Sequence, residues 1–508
     1  MIMQRHYQCG FVLYSILVIV ILSSMVAVSL LYASKSAETA SAAGEQGEQA
    51  WLAAMSGINY TVNVLLSFEQ GNTDWKDNSE LFKDKFIFND GRDKWYFSVY
   101  SWNGSEDSQD SIVYGVKDEA GKLNLKYLPA EVKKSAEGTS LFEALNEETS
   151  ASGISYEMDD LTGDLLDSYG KDIQENGDIE ISDISDSKDV VSTSSLNTET
   201  NTITQTQTET SQTNLISLLI GSSKVPEFEF LDAYIVSQGY NIRVLYGKDL
   251  DMNFQTDSGT EAVGAVFQEG VSSFGTLGMG LRHWLTTASY DLNTDSLGTQ
   301  RINLNDTNAS LNSLNLSPET LAYIEAMRRN QRQIRNPAQL LSATEELQDE
   351  SGNLRKYTVE LTESEMAIIF DKCTTIPELY LPGLININTA SKEVLEVLPG
   401  VSEEIAESIV SSRESLMSDQ LNTPAWLLEM NLLTREELQN IYPYITARSR
   451  QYHFNIVAYS LPTGRYRVLE VIVDTASTPA QILMIRDLTR LGMPFKIENN
   501  GEVESSSE

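Results

Sequence analysis

Residues 11–34 read Phe11-Val-Leu-Tyr-Ser-Ile-Leu-Val-Ile-Val-Ile-Leu-Ser-Ser-Met-Val-Ala-Val-Ser-Leu-Leu-Tyr-Ala-Ser34, without a single charge. As a helix rising about 1.5 Å per residue, the run is roughly 36 Å long, enough to cross the hydrocarbon of a bilayer. Arg5 precedes it, which predicts a cytoplasmic amino terminus and a bulk on the opposite side. Residues 35–67 continue without proline, and Ala43, Ala50, Ala54, Ile58, Val62 and Leu65 recur near helical spacing among polar residues. That pattern predicts an amphipathic helix continuing the apolar one. A cleaved secretory signal is the competing reading. Ser29-Leu30-Leu31-Tyr32-Ala33-Ser34 is only a fair cleavage site for it, and a signal has no need of the stalk that follows.

The rest of the chain is long and acidic. Its 508 residues predict two or three folded units. With 73 acidic against 36 basic residues, the formal net charge is -37. Such a surface repels nucleic acid and suits an exported assembly part or a calcium binder. The two cysteines, Cys9 and Cys373, fall on opposite sides of the apolar run, so no disulfide framework follows. A lipoprotein anchor would place its cysteine after that run. His6, His283 and His453 are the only histidines, too few for zinc or triad chemistry, and each is expected to be an ordinary surface or core residue. No Gly-x-Ser-x-Gly, His-Glu-x-x-His or phosphate loop occurs, and the chain is not expected to be an enzyme.

Beyond the stalk, residues 68–149 read as a β region, with strands at Trp95–Tyr100 and Ser111–Val116. Residues 150–225 are first Asp/Glu-rich, then Ser/Thr/Gln/Asn-rich, with few aromatics. This composition predicts a disordered insertion. Residues 226–380 read as an inserted, mainly α-helical domain, with Ser317-Pro318-Glu319 as a helix start. Arg328, Arg329 and Arg332 there form either a small basic patch or a solvated helix face. Residues 381–450 contain Ile385-Asn386-Ile387-Asn388-Thr389-Ala390, a capped helix, the turn Leu398-Pro399-Gly400-Val401 and a second capped helix from Ser402. This is a helix-hairpin-helix, with a related pass from Asn422 to Leu438. Residues 451–490 predict a β-hairpin around Pro462-Thr463-Gly464 that returns to the first sheet, and 491–508 an acidic tail. The fold class is therefore α+β: an amino-terminal helix on an antiparallel sheet, with an inserted all-α helix-hairpin-helix domain.

Two chemical readings arise from these motifs. Helix-hairpin-helix turns often hold DNA phosphates with backbone N–H groups and nearby cations. Here Ser402 stands where that pattern has a second glycine, and Glu403 and Glu404 follow. They stabilise the helix through its dipole but repel phosphate. Packing is favoured over DNA binding, which stays as the alternative. Asp249-x-Asp251-x-Asn253 and Asp291-x-Asn293-x-Asp295 place oxygens at alternate positions, as a calcium loop does. Phe254 and Ser296 stand where an EF-hand loop has glycine, so a pair of polar turns is the plain alternative.

Cys9-Gly10-Phe11 looks like a prepilin-peptidase junction: a short polar leader ending in Gly, then an aromatic residue opening the apolar helix. Mature position five is Ser15, where most pilins carry Glu. Further motifs are Asp118-Glu119-Ala120-Gly121-Lys122-Leu123-Asn124-Leu125 (with Lys126 for a final Asn), Leu245-Tyr246-Gly247-Lys248-Asp249 and Arg301-Ile302-Asn303-Leu304-Asn305. Together with the 385–390 motif and the last strand pair, these make the chain similar to the general secretion pathway protein K family, the tip-forming minor pseudopilins of type II secretion. The resemblance covers residues 1–67, parts of 92–128 and most of 240–475, and leaves out the polar insertion. It implies a leader at 1–10, cleavage after Gly10, N-methylation of Phe11, a transmembrane helix at 11–34 and a periplasmic stalk at 35–67. It also implies a pilin-like fold with a SAM-like inserted domain, and a single pass through the inner membrane with the bulk periplasmic. The partners it implies are I- and J-like minor pseudopilins, the inner-membrane secretion machinery and prepilin peptidase, with no nucleic acid. Calcium is the candidate ligand. A tip subunit has nothing above it to neutralise a carboxylate in lipid, which fits Ser15; simple tolerance of Ser is the alternative.

Overall fold

The amino-terminal apolar run and the stalk form one helix, α1, from Cys9 to Ser67, 59 residues without proline. The protein is represented by a computed structural model. It describes residues 9–104, 111–139, 141–142, 224–240, 242–247, 249, 252–254 and 279–495, with only the backbone for residues 9–13, 37–46 and 243. The expected leader residues 1–8, nearly all of the 150–225 insertion, and residues 496–508 of the tail lie outside the described residues.

The second half of α1 lies on an antiparallel sheet. Its main strands are β1 (Lys85–Asn89), β2 (Lys94–Trp102), β5 (Gln451–Leu461), β6 (Tyr466–Asp474) and β7 (Gln481–Asp487), in the order β1-β2-β5-β6-β7. β2 and β5 are neighbours although 348 residues separate the end of one from the start of the other, so the intervening chain is an insertion between two adjacent strands. Both faces of the sheet are covered. Trp95, Phe97 and Val99 on β2, with Phe454, Ile456 and Ala458 on β5, form one core with α1. Tyr100, Trp102, Val457 and Tyr459, on the alternate positions, join the core of the inserted region.

Small residues set the distance between α1 and the sheet. Ala50, Ala53, Ala54, Ile58, Thr61 and Leu65 are buried along one stripe. Gly57 sits at the closest approach: a Cβ there would fall inside the envelope of Ile456 Cδ1 and 2.8 Å from Phe97 Cγ. The contacts also give the sheet a polarity along α1. The Arg467 guanidinium, at the β5–β6 turn end, lies 5.2 Å from the Trp51 ring. Tyr452, at the other end of β5, packs edge-on against Trp75, beyond the end of α1, at 5.1 Å. The turn end therefore faces the apolar half of α1. The helix-hairpin-helix sits at the far end, where Gln70 Nε2 donates to the Asn422 carbonyl at 3.1 Å.

Three sequence expectations need correction. Residues 226–380 are mixed rather than mainly helical. They contain α2 (Pro318–Arg329) and α3 (Glu363–Lys372), but also the hairpin β3 (Ala343–Gln348) and β4 (Leu354–Val359), and short strands at Tyr290–Leu292 and Tyr380–Pro382. Leu347 and Val359 alternate with exposed polar residues, a period of two that helical expectations passed over. Asp349 closes the turn by accepting from the N–H groups of Ser351 and Asn353, both at 2.9 Å. The carboxy-terminal hairpin also has a third strand, β7, paired with β6. Ser317 caps α2 as expected. Arg328 belongs to neither a basic patch nor a solvated face, because its guanidinium donates to the carbonyls of Leu304 at 2.7 Å, Ala309 at 2.9 Å and Asn303 at 3.2 Å.

Candidate functional site

Three places bear on function: the bare half of α1, the helix-hairpin-helix, and the polar joint between that domain and the sheet. Tyr14–Ser36 is the only helical segment among the described residues long and apolar enough to cross a membrane, and none of it is buried. Length and composition fit a membrane span and a signal sequence equally. Tyr14, Ile16, Leu17, Ile19, Val20, Ile21 and Leu22 are all exposed, around the whole circumference. A helix apolar on every side requires lipid or other apolar helices. Its hydroxyls turn inward: Ser23 donates to the Val20 carbonyl at 3.0 Å and Ser24 to the Ile21 carbonyl at 2.8 Å. Gly10, Phe11 and Ser15 lie in the first turns of this helix. The Phe11 side chain is outside the described residues, and Ser15 is half-buried.

The helix-hairpin-helix consists of α4 (Lys392–Leu395), α5 (Glu403–Arg413), α6 (Trp426–Glu429) and α7 (Arg435–Ile441). A parallel pairing of Ile385-Asn386 with Ile445-Thr446 closes it. Gly400 makes the hairpin turn with φ of 82°, a conformation that glycine adopts at little cost. Ser402 caps α5, accepting from the Ile405 N–H at 3.4 Å. Residues 383–446 carry ten carboxylates and three cations, Lys392, Arg413 and Arg435. All three cations are engaged. Lys392 is 2.6 Å from Glu403. Arg413 donates to the carbonyls of Ile387 at 3.0 Å and Ala390 at 2.6 Å. Arg435 donates to the carbonyls of Leu341 and Leu361. A phosphate at this hairpin would meet Glu403 and Glu404 and no uncommitted cation of the motif.

Two sequence motifs interlock at the joint. Asp118, opening the 118–125 motif, is buried. It accepts from Asn386 Nδ2 at 2.8 Å and Thr389 Oγ1 at 2.6 Å in the 385–390 motif, from Ser449 Oγ at 2.8 Å, and from the Ala120 N–H at 2.9 Å. Burial pushes its carboxyl up to about 6, against the pull of these four donors. A Cβ at Gly121 would stand 2.8 Å from Thr389 Oγ1, which explains the glycine. Asn388 donates to the carbonyls of Leu421 at 2.7 Å and Ala447 at 3.1 Å, and accepts from Trp426 Nε1 at 3.1 Å. Its own carbonyl accepts from Lys76 Nζ at 2.8 Å. Burial, with Arg413 nearby, pushes the Lys76 ammonium down to about 7. Sequence reading singled out both motifs without pairing them, and missed Lys76 altogether.

A second charged cluster joins the sheet to the inserted region. Glu119 takes the Lys122 ammonium and the Thr286 hydroxyl. His453 lies 3.3 Å from Lys122 Nζ through Nδ1 and 2.9 Å from Glu470 through Nε2. Arg486 bridges Glu470 at 3.2 Å and Asp232 at 2.5 Å. Burial alone would raise Glu470, but Arg486 and His453 hold it well below the usual carboxylate range. His283 packs 4.4 Å from the Trp102 ring, and burial holds its pKa well below the ordinary value.

Most of the side chains of the calcium candidates already have partners within the protein. Asp249 is fully buried against Arg282 Nη2 at 2.6 Å, and it accepts from the N–H groups of Asn253 at 2.9 Å and Phe254 at 3.2 Å. Asp251 lies outside the described residues. Asp291 accepts from Thr446 Oγ1 at 2.8 Å, and against burial, Arg448 and Arg450 hold its carboxyl below the ordinary value. Asn293 turns its amide to the carbonyls of Ile376 and Glu378, both at 2.8 Å. Asp295 closes its own turn, accepting from Leu297 and Thr299. Arg282 beside Asp249 and Arg450 3.8 Å from Asp291 already supply positive charge to those two carboxylates. Among the described residues, no group of three or more His, Cys, Asp or Glu side chains is arranged to hold a metal.

Comparison with known families agrees with the distal geometry. The helix-hairpin-helix motif matches residues 383–446, from Gly383 to the strand after α7. No curated protein matches the chain.

Proposed function

We propose that this chain is a minor pseudopilin at the tip of a type II secretion pseudopilus, anchored in the inner membrane by α1 and priming assembly of the filament that exports folded proteins. One observation carries the reading: a single continuous helix passes from an apolar half bare of protein to a half packed under the sheet of the body. In this reading the pilin-like unit is α1 with the antiparallel sheet, and the inserted region with its SAM-like helix-hairpin-helix crowns the end away from the membrane. Cleavage falls between Gly10 and Phe11, Phe11 is N-methylated by prepilin peptidase, and Ser15 suits a subunit with nothing above it. The body is periplasmic, the partners are I- and J-like pseudopilins and the inner-membrane machinery, and the chain makes and breaks no bond.

Amino-terminal sequencing of the membrane-fraction protein tests this directly. The expected product begins at methylated Phe11. A soluble product beginning near Lys35 would show that the helix is a signal and remove the proposal.

A DNA-binding minor pilin is the second reading, favoured by the family match of residues 383–446. The engaged cations and outward glutamates of the hairpin weigh against it. Retention of duplex DNA in a low-salt gel shift, lost in Gly400→Asp, would establish it.

A further inference from the structure

The turn end of the sheet reverses the charge of the molecule. Residues 89–94, 461–467 and 487–491 carry Arg92, Lys94, Arg465, Arg467 and Arg490 against Asp90, Asp93 and Asp487, in a chain of net charge -37. The three carboxylates are bound internally. Asp90 accepts from the N–H groups of Arg92 at 2.8 Å and Asp93 at 2.7 Å, and from Trp95 Nε1 at 3.2 Å. Asp93 is buried and accepts from Thr463 Oγ1 at 2.6 Å. Asp487 holds Arg467 at 2.5 Å. Arg92 is exposed, Arg465 is half-exposed, and neither forms an ion pair among the described residues. Beside them β1 lies at the end of the strand order with Phe86 58% exposed.

We propose that this end is a docking face for the acidic surface of a neighbouring pseudopilin body, seated around the length of α1 between the apolar span and the sheet. The inference rests on the pseudopilin reading above and names the surface through which that partner binds. Geometry selects protein over lipid. Arg467 lies over Trp51, and the apolar span ends at Ser36. The intervening stretch of helix is roughly 22 Å long. A headgroup layer of about 5–7 Å leaves roughly 15 Å of helix below the sheet, beyond the screening length of about 8 Å at physiological salt. Anionic headgroups are thus out of reach of an upright helix. The remaining height suits one packed layer, since layers stack about 10 Å apart. A second acidic body approaching this face meets net positive charge in a molecule whose overall charge is -37.

The full-length chain, co-expressed with pseudopilins encoded in the same genome and reconstituted in nanodiscs, provides the test. The unmodified protein should form a complex that weakens steeply with salt. Arg92→Glu with Arg465→Glu should weaken it about 100-fold, since like charges brought together cost several kcal/mol, while Glu404→Lys at the far end should not. Arg92→Gln with Arg465→Gln, which introduces no new charge into the fold, should reduce the salt dependence. Unchanged melting temperatures establish that these variants fold. If the unmodified chain joins no pseudopilin, the tip reading fails. If it does, and both double variants bind within threefold of it, the docking face is wrong while the tip reading stands. If the loss occurs only in nanodiscs containing phosphatidylglycerol and not in neutral ones, lipid is the occupant and the proposal is overturned.

Discussion

The two halves of α1 obey different rules within one uninterrupted helix. From Tyr14 to Ser34 the side chains are apolar or hydroxylic without a charge, and none of the segment from Tyr14 to Ser36 is buried. From Ala50 to Leu65 the stripe toward the sheet is built of Ala50, Ala53, Ala54, Gly57, Ile58 and Thr61. The first half depends on an apolar solvent and is indifferent to side-chain shape. The second half depends on shape, because the sheet comes within van der Waals reach of its backbone at Gly57. Mean hydropathy therefore reports where the helix sits, and residue size reports what it carries.

That contrast can be broken from either side. Met25→Arg, at the centre of the apolar half, should cost insertion about 3 kcal/mol, roughly a 100-fold loss of carbonate-resistant membrane protein, with the melting of the body unchanged. Gly57→Val should do the reverse: about 2–3 kcal/mol of stability lost to overpacking against Ile456 and Phe97, read by denaturant titration, with membrane partition unchanged. If both variants changed both quantities, the halves would not be independent.

The far end of the packed half, beside the helix-hairpin-helix, sharpens the comparison through pH. Asp118→Ala leaves four donors without their acceptor and should cost about 2 kcal/mol near neutral pH. The Asp118 carboxyl is raised to about 6 in the folded protein. Its proton therefore stabilises the fold below that value, and the contribution fades as pH rises toward 6. The cost of Asp118→Ala should be larger at pH 5 than at pH 7.5. Lys76 has the opposite dependence. Its ammonium is lowered to about 7, so the unfolded chain binds the extra proton between that value and the ordinary lysine range, and stability rises with pH there. Lys76→Met should abolish a rise of roughly 1 kcal/mol between pH 7 and 9, allowing for solvent screening. Thermal melts across that range check the sign.

Local patterns in the chain announced the elements that depend on local chemistry. The uncharged run, the Ser317-Pro318 cap, the Pro399-Gly400 turn and the β5–β6 hairpin each need only neighbours within a few residues. β3, β4 and β7 escaped notice because short strands with polar alternation differ little from loops until a partner strand is known. The Asp118 joint was hidden for a stronger reason: Asn386 and Ser449 are 268 and 331 residues away in sequence. Arg282 and Asp249 likewise meet across 33 residues, a buried ion pair at the first position of a calcium-like pattern that spacing alone did not announce.

By itself, the order of residues determined that one end of this protein is apolar enough for a membrane, that the chain is acidic, and that a helix-hairpin-helix lies near its end. All three follow from composition and short-range spacing. Only the tertiary structure decided which charges remain outward. It bound the cations of the helix-hairpin-helix to carbonyls and a glutamate, and bound the carboxylates of the opposite sheet end to backbone N–H groups, Thr463 and Arg467. The reason is that a charge's partner is set by what the fold brings within about 3 Å of it, a distance that sequence separation does not encode.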